Sequence, residues 1–202
     1  MSNAADRPAS ISTAPLTPAR WADLEKVFGG GRGDCGRCWC MYWRLSRRDF
    51  EASLGDKGRR LFRARVEAGP PPGLVAYRDG DPVGWVQVGP RADVPQWNGA
   101  RRLTAPTPDA PAGDPRVWGI SCFVTKSGCR RQGIATALLA GAIAWAREQG
   151  AGVLEACPVD TASSRPAAAL YHGIASTFRA AGFSEVARQR PDRPLLRLPL
   201  GD

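Results

Sequence analysis

The segment from Trp118 to Gly150 constrains the fold more than any other part of the sequence. Along Trp118–Thr125, successive side chains alternate as they do in a β-strand. A turn, Lys126–Cys129, follows and leads into Arg130–Ala135, which opens a helix that closes at Gly150. One side of this helix carries apolar residues at helical spacing: Ile134, Leu138, Ala142 and Trp145. The segment therefore predicts a strand, a basic turn that contains glycine, and a helix.

This order of elements is typical of an anion site. The first N–H groups of a helix have no intrahelical partner, the helix dipole adds partial positive charge, and a glycine such as Gly133 lets a phosphate approach the backbone. The spacing Arg-x-x-Gly-x-Ala from Arg130 to Ala135 is neither a Walker loop nor a dinucleotide fingerprint. The alternative is an ordinary strand–helix junction with solvated arginines.

The Arg-x-x-Gly-x-Ala spacing resembles the pyrophosphate loop of the GNAT superfamily of N-acetyltransferases, whose pattern is Arg/Gln-x-x-Gly-x-Gly/Ala. This resemblance implies that acetyl-CoA is the co-substrate and that its pantetheine arm pairs with the preceding strand as an added strand would. It places the pantetheine on Phe123, Val124 and Thr125. It places the pyrophosphate on the following segment: Arg130, Arg131, Gln132, Gly133, Ile134, Ala135 and Thr136.

The rest of the chain predicts elements that match this family over nearly all of residues 15 to 200. We expect helices from Thr17–Pro18 to Phe28, over Arg48–Ala68 and over Tyr171–Ala181. The inward residues of the second helix are Phe50, Leu54, Leu61, Phe62 and Val66. Further strands are expected at Leu74–Arg78, Val83–Val88, Val153–Cys157, Glu185–Arg188 and Leu195–Leu200. The predicted fold class is α/β (α+β), the GNAT fold, with a mixed, mostly antiparallel sheet of about six to seven strands flanked by about four helices.

Length and composition favour one soluble domain. We expect a flexible tail over residues 1–14, with a vector remnant at 1–4 and room for a short first strand, and a single domain over 15–202. The N-terminus carries no signal-peptide pattern and no apolar run approaches a membrane span, so a cytoplasmic protein without a membrane partner is expected. The net charge of +9 raises a nucleic-acid-binding alternative, but the basic residues are dispersed and no nucleic-acid motif accompanies them.

Two variable segments are candidates for the acceptor side. The proline-rich stretch 89–116 lacks periodicity and is interpreted as a substrate lid that carries Arg91, Asp93, Trp97, Arg101 and Arg102. The aromatic cluster Trp39, Met41, Tyr42 and Trp43 is expected to pack the first helices on the sheet and to line the acceptor pocket.

The cysteines beside that aromatic cluster raise the question of a metal site. Cys35, Cys38 and Cys40 form a C-x-x-C-x-C pattern, but a closed zinc site usually takes four ligands, and His172, the one histidine, lies far along the chain. We therefore expect no metal, with zinc as the alternative. The Cys38–Arg44 and Glu155–Asp160 stretches also resemble an uncharacterised bacterial branch of the superfamily. That resemblance does not indicate a substrate.

The expected reaction is direct attack of a neutral amine on the thioester, with backbone donors polarising the carbonyl. Glu155, which interrupts an apolar strand, is the candidate base, with an ion pair to an arginine as the alternative and Asp160 in reserve. In many GNAT enzymes a tyrosine four residues before the glycine that closes the last helix is the acid, but counting back from Gly182 gives Phe178. Tyr171 is therefore chosen over His172, with a packed tyrosine as the alternative.

The acceptor is expected to be a small-molecule or peptide amine, and the protein a monomer or homodimer. The main alternative is a catalytically silent GNAT-fold module that binds acyl-CoA.

Overall fold

The computed structural model describes residues 10–29, 37–160 and 170–201, which build one seven-stranded sheet in the order β1-β2-β3-β4-β5-β7-β6. Neighbouring strands are antiparallel except for β4 and β5, which run parallel. The strands are β1 Ile11–Pro15, β2 Gly73–Arg78, β3 Asp81–Pro90, β4 Val117–Thr125, β5 Val153–Ala156, β6 Ser184–Arg190 and β7 Arg193–Pro199. This mixed, mostly antiparallel sheet confirms the predicted fold class.

Helices cover both faces of the sheet. They are α1 Trp21–Phe28, α2 Arg47–Glu51, α3 Asp56–Ala68, α4 Ile134–Glu148 and α5 Ala175–Ala180. On one face, α4 and α5 pack their apolar residues on β2, β3 and β4, and on the other face α1 and α3 pack around Trp85. The strand β4 therefore lies between two cores, and its residues are buried from Val117 to Val124 because both of its faces are covered.

The close approach of α4 to the sheet depends on a glycine in β3. A Cβ atom added to Gly84 would lie 2.7 Å from Ile134 Cγ2 and 3.1 Å from Leu138 Cδ1. Such contacts are too short for real atoms, so a larger residue at position 84 would push the helix away. The predicted inward residues Ile134, Leu138 and Ala142 are buried, and Trp145 is partly buried against the same core.

The predicted helix over Arg48–Ala68 is wrong as a single element. The structure has α2 and α3, separated by a turn in which Gly55 has φ +85°. Ser53 helps to close this turn by donating its hydroxyl to the Phe50 carbonyl at 2.9 Å. Because the turn changes the direction of the chain, Leu54 and Leu61 are exposed, whereas Phe62 and Val66 are buried as expected.

The interpretation of residues 89–116 as a lid is wrong for its central residues. The segment contains two short 3-10 helices, Arg91–Asp93 and Pro95–Trp97, and the side chains of Arg91 and Trp97 are fully buried. Asp93 is held by Arg65 at 2.5 Å and by Arg44. This strap, residues 89–116, is therefore packed against the domain by its buried arginine and tryptophan.

The first strand and the last helix differ from their expected boundaries. The short first strand is present as β1 and pairs with β2 along its length. The last helix begins at Ala175 and not at Tyr171. Gly173, just before the helix, has φ +79°, which is not a helical backbone conformation. Within the described residues, no helix has the length and apolar character that a membrane span requires.

Candidate functional site

The site lies where the two parallel strands of the sheet separate. Backbone pairing joins β4 to β5 only between Val117–Ile120 and Val153–Ala156, while β4 continues to Thr125. A bulge leaves Ser121 as the extra residue of β4 against β3. Beyond the bulge, the Phe123 N–H donates to the Tyr171 carbonyl at 2.6 Å. Since backbone N–H groups alternate sides along a strand, the Thr125 N–H faces the same edge.

A cavity of about 870 Å³ occupies this separation and is lined from both faces of the sheet. One side, which we call the donor side, is formed by the end of β4, the start of α4 and α5, including Phe123, Thr125, Ala135, Thr177 and Phe178. The other side, which we call the acceptor chamber, is lined by Cys38, Tyr42, Trp43, Phe50, Gln87 and Cys122. The gap between the strands thus connects two differently lined halves of one cavity.

The basic turn after β4 brings positive charge to the donor side. Arg130 and Arg131 line the cavity next to the first turn of α4, whose N-terminal N–H groups lack intrahelical partners. Gly133 caps the helix with φ +78°, a backbone conformation that L side chains rarely adopt. Gln132 closes the turn by accepting from Arg78 and donating to the Gly128 carbonyl at 3.2 Å. These features together suit a phosphate group.

The residues predicted to hold the cofactor fall into two groups. Those on the cavity wall are Phe123, Val124, Thr125, Arg130, Arg131 and Ala135. Those off the wall are Gln132, Gly133, Ile134 and Thr136. The side chain of Ile134 is buried in the core, so this residue can contribute only its backbone to a ligand.

Glu155 is fully buried on β5 but lies outside the cavity wall. Its Oε2 accepts from Arg91, and its Oε1 accepts from Arg197 Nε at 2.9 Å and Nη2 at 2.7 Å. Arg91 also donates to the Thr104 carbonyl, so the ion pair joins the strap to the sheet. With both oxygens occupied by guanidinium groups, the geometry favours the ion-pair alternative over a role as base.

The reserve base, Asp160, is also engaged by arginines. Its carboxylate accepts from Arg179 at 2.9 and 3.2 Å and from Arg188 at 2.9 Å. These hydrogen bonds lower the pKa of Asp160 to about 2. A carboxylate that binds protons so weakly is a poor base, and Asp160 does not line the cavity.

Tyr171 lies on the cavity wall, in the turn that meets the edge of β4. Burial raises the pKa of its phenol to about 12, so the hydroxyl keeps its proton at neutral pH. The neighbouring His172 is buried, with its ring centroid 4.0 Å from that of Tyr171. Burial and the charge of Arg193 lower the pKa of His172 to about 3, whereas its hydrogen bond to the Ser121 backbone raises it. Phe178 lines the cavity as a buried ring that packs edge-on against Phe123.

Sequence reasoning missed Gln87. This residue lies on β3, is 2% exposed and lines the acceptor chamber. Neither its Oε1 nor its Nε2 has a hydrogen-bond partner among the residues that the structure describes. The available signal was a single amide in the otherwise apolar run Val83–Val88.

The aromatic cluster divides between packing and the cavity, as expected. Trp39 stacks on Trp21 with centroids 5.7 Å apart, whereas Tyr42 and Trp43 line the acceptor chamber. Cys40 is buried and its Sγ accepts from the Trp85 indole at 3.1 Å. Cys35 lies outside the described residues. Within 10–29, 37–160 and 170–201, no group of histidine, cysteine or acidic residues is arranged to hold a metal ion, and the metal-free expectation remains a prediction.

Several solved structures share this architecture. An N-acetyltransferase from Staphylococcus aureus Mu50 aligns with a TM-score of 0.53 and 14% identity over 95% of this chain and 99% of its own. The PaiA N-acetyltransferase from Thermoplasma acidophilum, in complex with coenzyme A, aligns with a TM-score of 0.51 and 12% identity over 94% of this chain and 99% of its own. Diaminobutyrate acetyltransferase EctA from Paenibacillus lautus, in complex with L-2,4-diaminobutyric acid and coenzyme A, aligns with a TM-score of 0.50 and 14% identity over 96% of this chain and 98% of its own. At these identities the similarities show the fold alone.

The family follows from the sequence itself. No curated protein sequence matches the chain. The model of the Acetyltransferase (GNAT) family matches residues 39–174, which is more than half of the chain and includes β4, the basic turn, α4 and the cavity residues up to Ile174. The chain therefore belongs to the Acetyltransferase (GNAT) family.

Proposed function

We propose that the protein is an acetyl-CoA-dependent N-acetyltransferase that transfers an acetyl group to an amine by direct attack. The observation that carries this proposal is the single cavity that joins the basic N-terminus of α4 to an apolar chamber through the gap between β4 and β5. Direct transfer needs donor and acceptor in contact, and this gap is where the two halves of the cavity meet. The family membership and the coenzyme A complexes of the structural relatives support the choice of donor.

On the donor side, the chain offers separate partners for the two parts of the cofactor. Arg130, Arg131 and the N–H groups at the start of α4 would hold the pyrophosphate through charge-assisted hydrogen bonds. The edge of β4 from Phe123 to Thr125 would accept the pantetheine arm by strand addition. The Phe123 N–H already bonds to Tyr171, so the Thr125 N–H is the backbone donor that remains on this edge. When bound, acetyl-CoA supplies the thioester carbonyl that an amine attacks.

For the protons, the geometry supports one of the two predicted residues. Tyr171 lines the cavity with a protonated hydroxyl and is proposed as the acid that protonates the leaving sulfur. Glu155 is proposed as a structural residue, because its carboxylate is enclosed by Arg91 and Arg197. No carboxylate is found among the described residues that line the cavity, so the proton lost by the amine is proposed to pass to water.

A catalytically silent acyl-CoA-binding module is the second candidate function. It is favoured by the same lack of a carboxylate among the described lining residues and by Phe178, which stands four residues before Gly182, where the family resemblance implies a tyrosine acid. The two functions are separated by measuring the release of free CoA thiol from acetyl-CoA with a panel of amines. The enzyme requires amine-dependent thiol release and an acetylated product in the mass spectrum. Tight acetyl-CoA binding without thiol release for any amine would identify the silent module.

A further inference from the structure

The acceptor chamber is lined by aromatic rings, thiols and one amide. Tyr42 packs edge-on against Trp43 at 4.7 Å and against Phe50 at 5.2 Å, and these three rings form one wall. The thiols of Cys38, Cys40 and Cys122 and the amide of Gln87 also line the cavity. An aromatic wall of this kind favours a flat, apolar group that can stack or pack edge-on against it.

The charges that face the cavity are positive. Among its described lining residues, the only ionised side chains at neutral pH are Arg130 and Arg131, on the donor side. Arg193 acts electrostatically on both Tyr171 and His172, at the end of the cavity where transfer would occur. A second cationic group on an acceptor would meet no counter-charge among these described lining residues. Burial of an unpaired ammonium is costly, so polyamines and lysine-like acceptors are disfavoured.

Gln87 brings an amide with both a donor and an acceptor into this chamber, where the Trp43 Nε1–H is also buried without a partner among the described residues. Gln87 is almost fully buried, and its Oε1 and Nε2 both lack partners within the described part of the chain. Leaving a buried amide unsatisfied is unfavourable, so such a group usually bonds to a ligand or to water. Gln87 pairs across the sheet with Cys122, beside the Ser121 bulge at which β4 and β5 separate. Its amide is therefore placed next to the point of transfer.

Given the proposed acetyl transfer, on which this inference depends, we propose that the acceptor is an arylamine without a second cationic group, whose ring packs on the wall formed by Tyr42, Trp43 and Phe50 and whose nitrogen donates to Gln87. An arylamine nitrogen is uncharged at neutral pH, whereas an alkylamine arrives as an ammonium ion that must first lose a proton. The cavity supplies no carboxylate for that step among its described residues. The low pKa of the buried His172, about 3, makes this imidazole a weak base as well.

The reaction balances with the groups present. The arylamine nitrogen forms the new N–C bond while the C–S bond of the thioester breaks. The sulfur takes the electron pair of that bond and a proton from the Tyr171 hydroxyl, and the proton lost by nitrogen passes to water, which also restores Tyr171.

The test compares para-toluidine, benzylamine and spermidine as acceptors, with free CoA thiol as the readout. We expect kcat/KM for para-toluidine to exceed that for spermidine by at least about 100-fold. Q87L should raise the KM for para-toluidine about three- to tenfold, because it removes one neutral hydrogen bond. It should leave the acetyl-CoA affinity unchanged. Q87E, which adds a carboxylate, should shift the preference toward benzylamine. Q149L, an exposed amide at the end of α4, is the matched control and should change neither parameter.

The inference is overturned if spermidine or benzylamine is used as well as para-toluidine, or if Q87L leaves the KM for para-toluidine unchanged. A failure of the proposed function is distinguishable from these results. If acetyl-CoA binds and no amine releases thiol, the proposed acetyl transfer fails. In that case, calorimetric binding of para-toluidine that is weakened in Q87L still supports the chamber as an arylamine-binding site. If calorimetry detects no such binding either, both proposals are rejected.

Discussion

Glu155 has a structural role in the proposed function, and the substitution E155Q tests this role directly. Glu155 is fully buried between Arg91 and Arg197. The substitution keeps the shape of the side chain but removes its charge, and it turns an N–H2 group toward one of the guanidiniums. Arg197 retains Asp109 as a partner, whereas the described contacts of the Arg91 guanidinium that remain are uncharged: Thr104, Asn98 and the ring of Trp97. The main cost therefore falls on Arg91, a buried guanidinium left without counter-charge.

The expected magnitude follows from that geometry. Removing one partner of a buried ion pair typically costs about 3–5 kcal/mol. For a domain of this size each kcal/mol lowers the melting temperature by about 2–4 °C, so E155Q should lower it by roughly 6–20 °C. Replacing both partners together, as in R91L/E155L, should recover much of this loss, since two apolar side chains leave no unpaired charge between them.

Urea denaturation followed by tryptophan fluorescence measures the free energy of unfolding of each variant. The control is E51Q, which breaks an exposed pair with Arg47 and should cost less than about 1 kcal/mol. If E155Q unfolds within about 1 kcal/mol of the parent while acetyl transfer collapses, the structural assignment is refuted and Glu155 acts as the base.

Three further predictions concern the proposed acid, the basic turn and the arginine-bound aspartate. Y171F should lower kcat by about 10²-fold or more with an unchanged melting temperature, and a kcat close to that of the parent would remove Tyr171 from the chemistry. G133V places a branched side chain at φ +78°, so it should destabilise the domain by about 1–2 kcal/mol and raise the KM for acetyl-CoA. G133N should have smaller effects on both quantities. Equal effects of the two substitutions would argue against a backbone effect. Because the pKa of Asp160 is lowered from 3.8 to about 2, its contribution to stability should be present above pH 3.8 and disappear as the pH falls through about 2. Acid titration of D160N should lack this component, and an unchanged titration would contradict the pairing.

The part of the fold that could be predicted depends on local signals. In the stretch from Trp118 to Gly150, strand alternation, a glycine-bearing turn and helical spacing all agree, and β4, the basic turn and α4 are found there. Over Arg48–Ala68 the apolar spacing suited one helix, yet the backbone at Gly55 adopts φ +85° and divides it. Gly173 similarly delays the last helix to Ala175. Both errors come from glycines whose conformation depends on tertiary packing.

The site residues that sequence reasoning missed or misjudged depend on long-range contacts. Arg91 resembled a loop residue because its partner, Glu155, lies 64 positions along the chain. Glu155 is buried, as expected for a carboxylate that interrupts an apolar strand, but it also has two arginine partners that no local pattern indicates. Gln87 gave a local signal, but only the cavity shows that its amide faces a ligand space.

The proposed function depends above all on the basic turn and the N-terminus of α4, which we propose hold the phosphates of acetyl-CoA. Isothermal titration calorimetry with acetyl-CoA tests it directly on the parent, on R130E and on R60E, which makes the same charge change on α3, away from the cavity. Losing a charge-assisted hydrogen bond costs about 1.5–3 kcal/mol, so R130E should weaken binding by at least about 10- to 150-fold. R60E should bind like the parent. Unchanged affinity in R130E, or an equal loss in R60E, would contradict the claim.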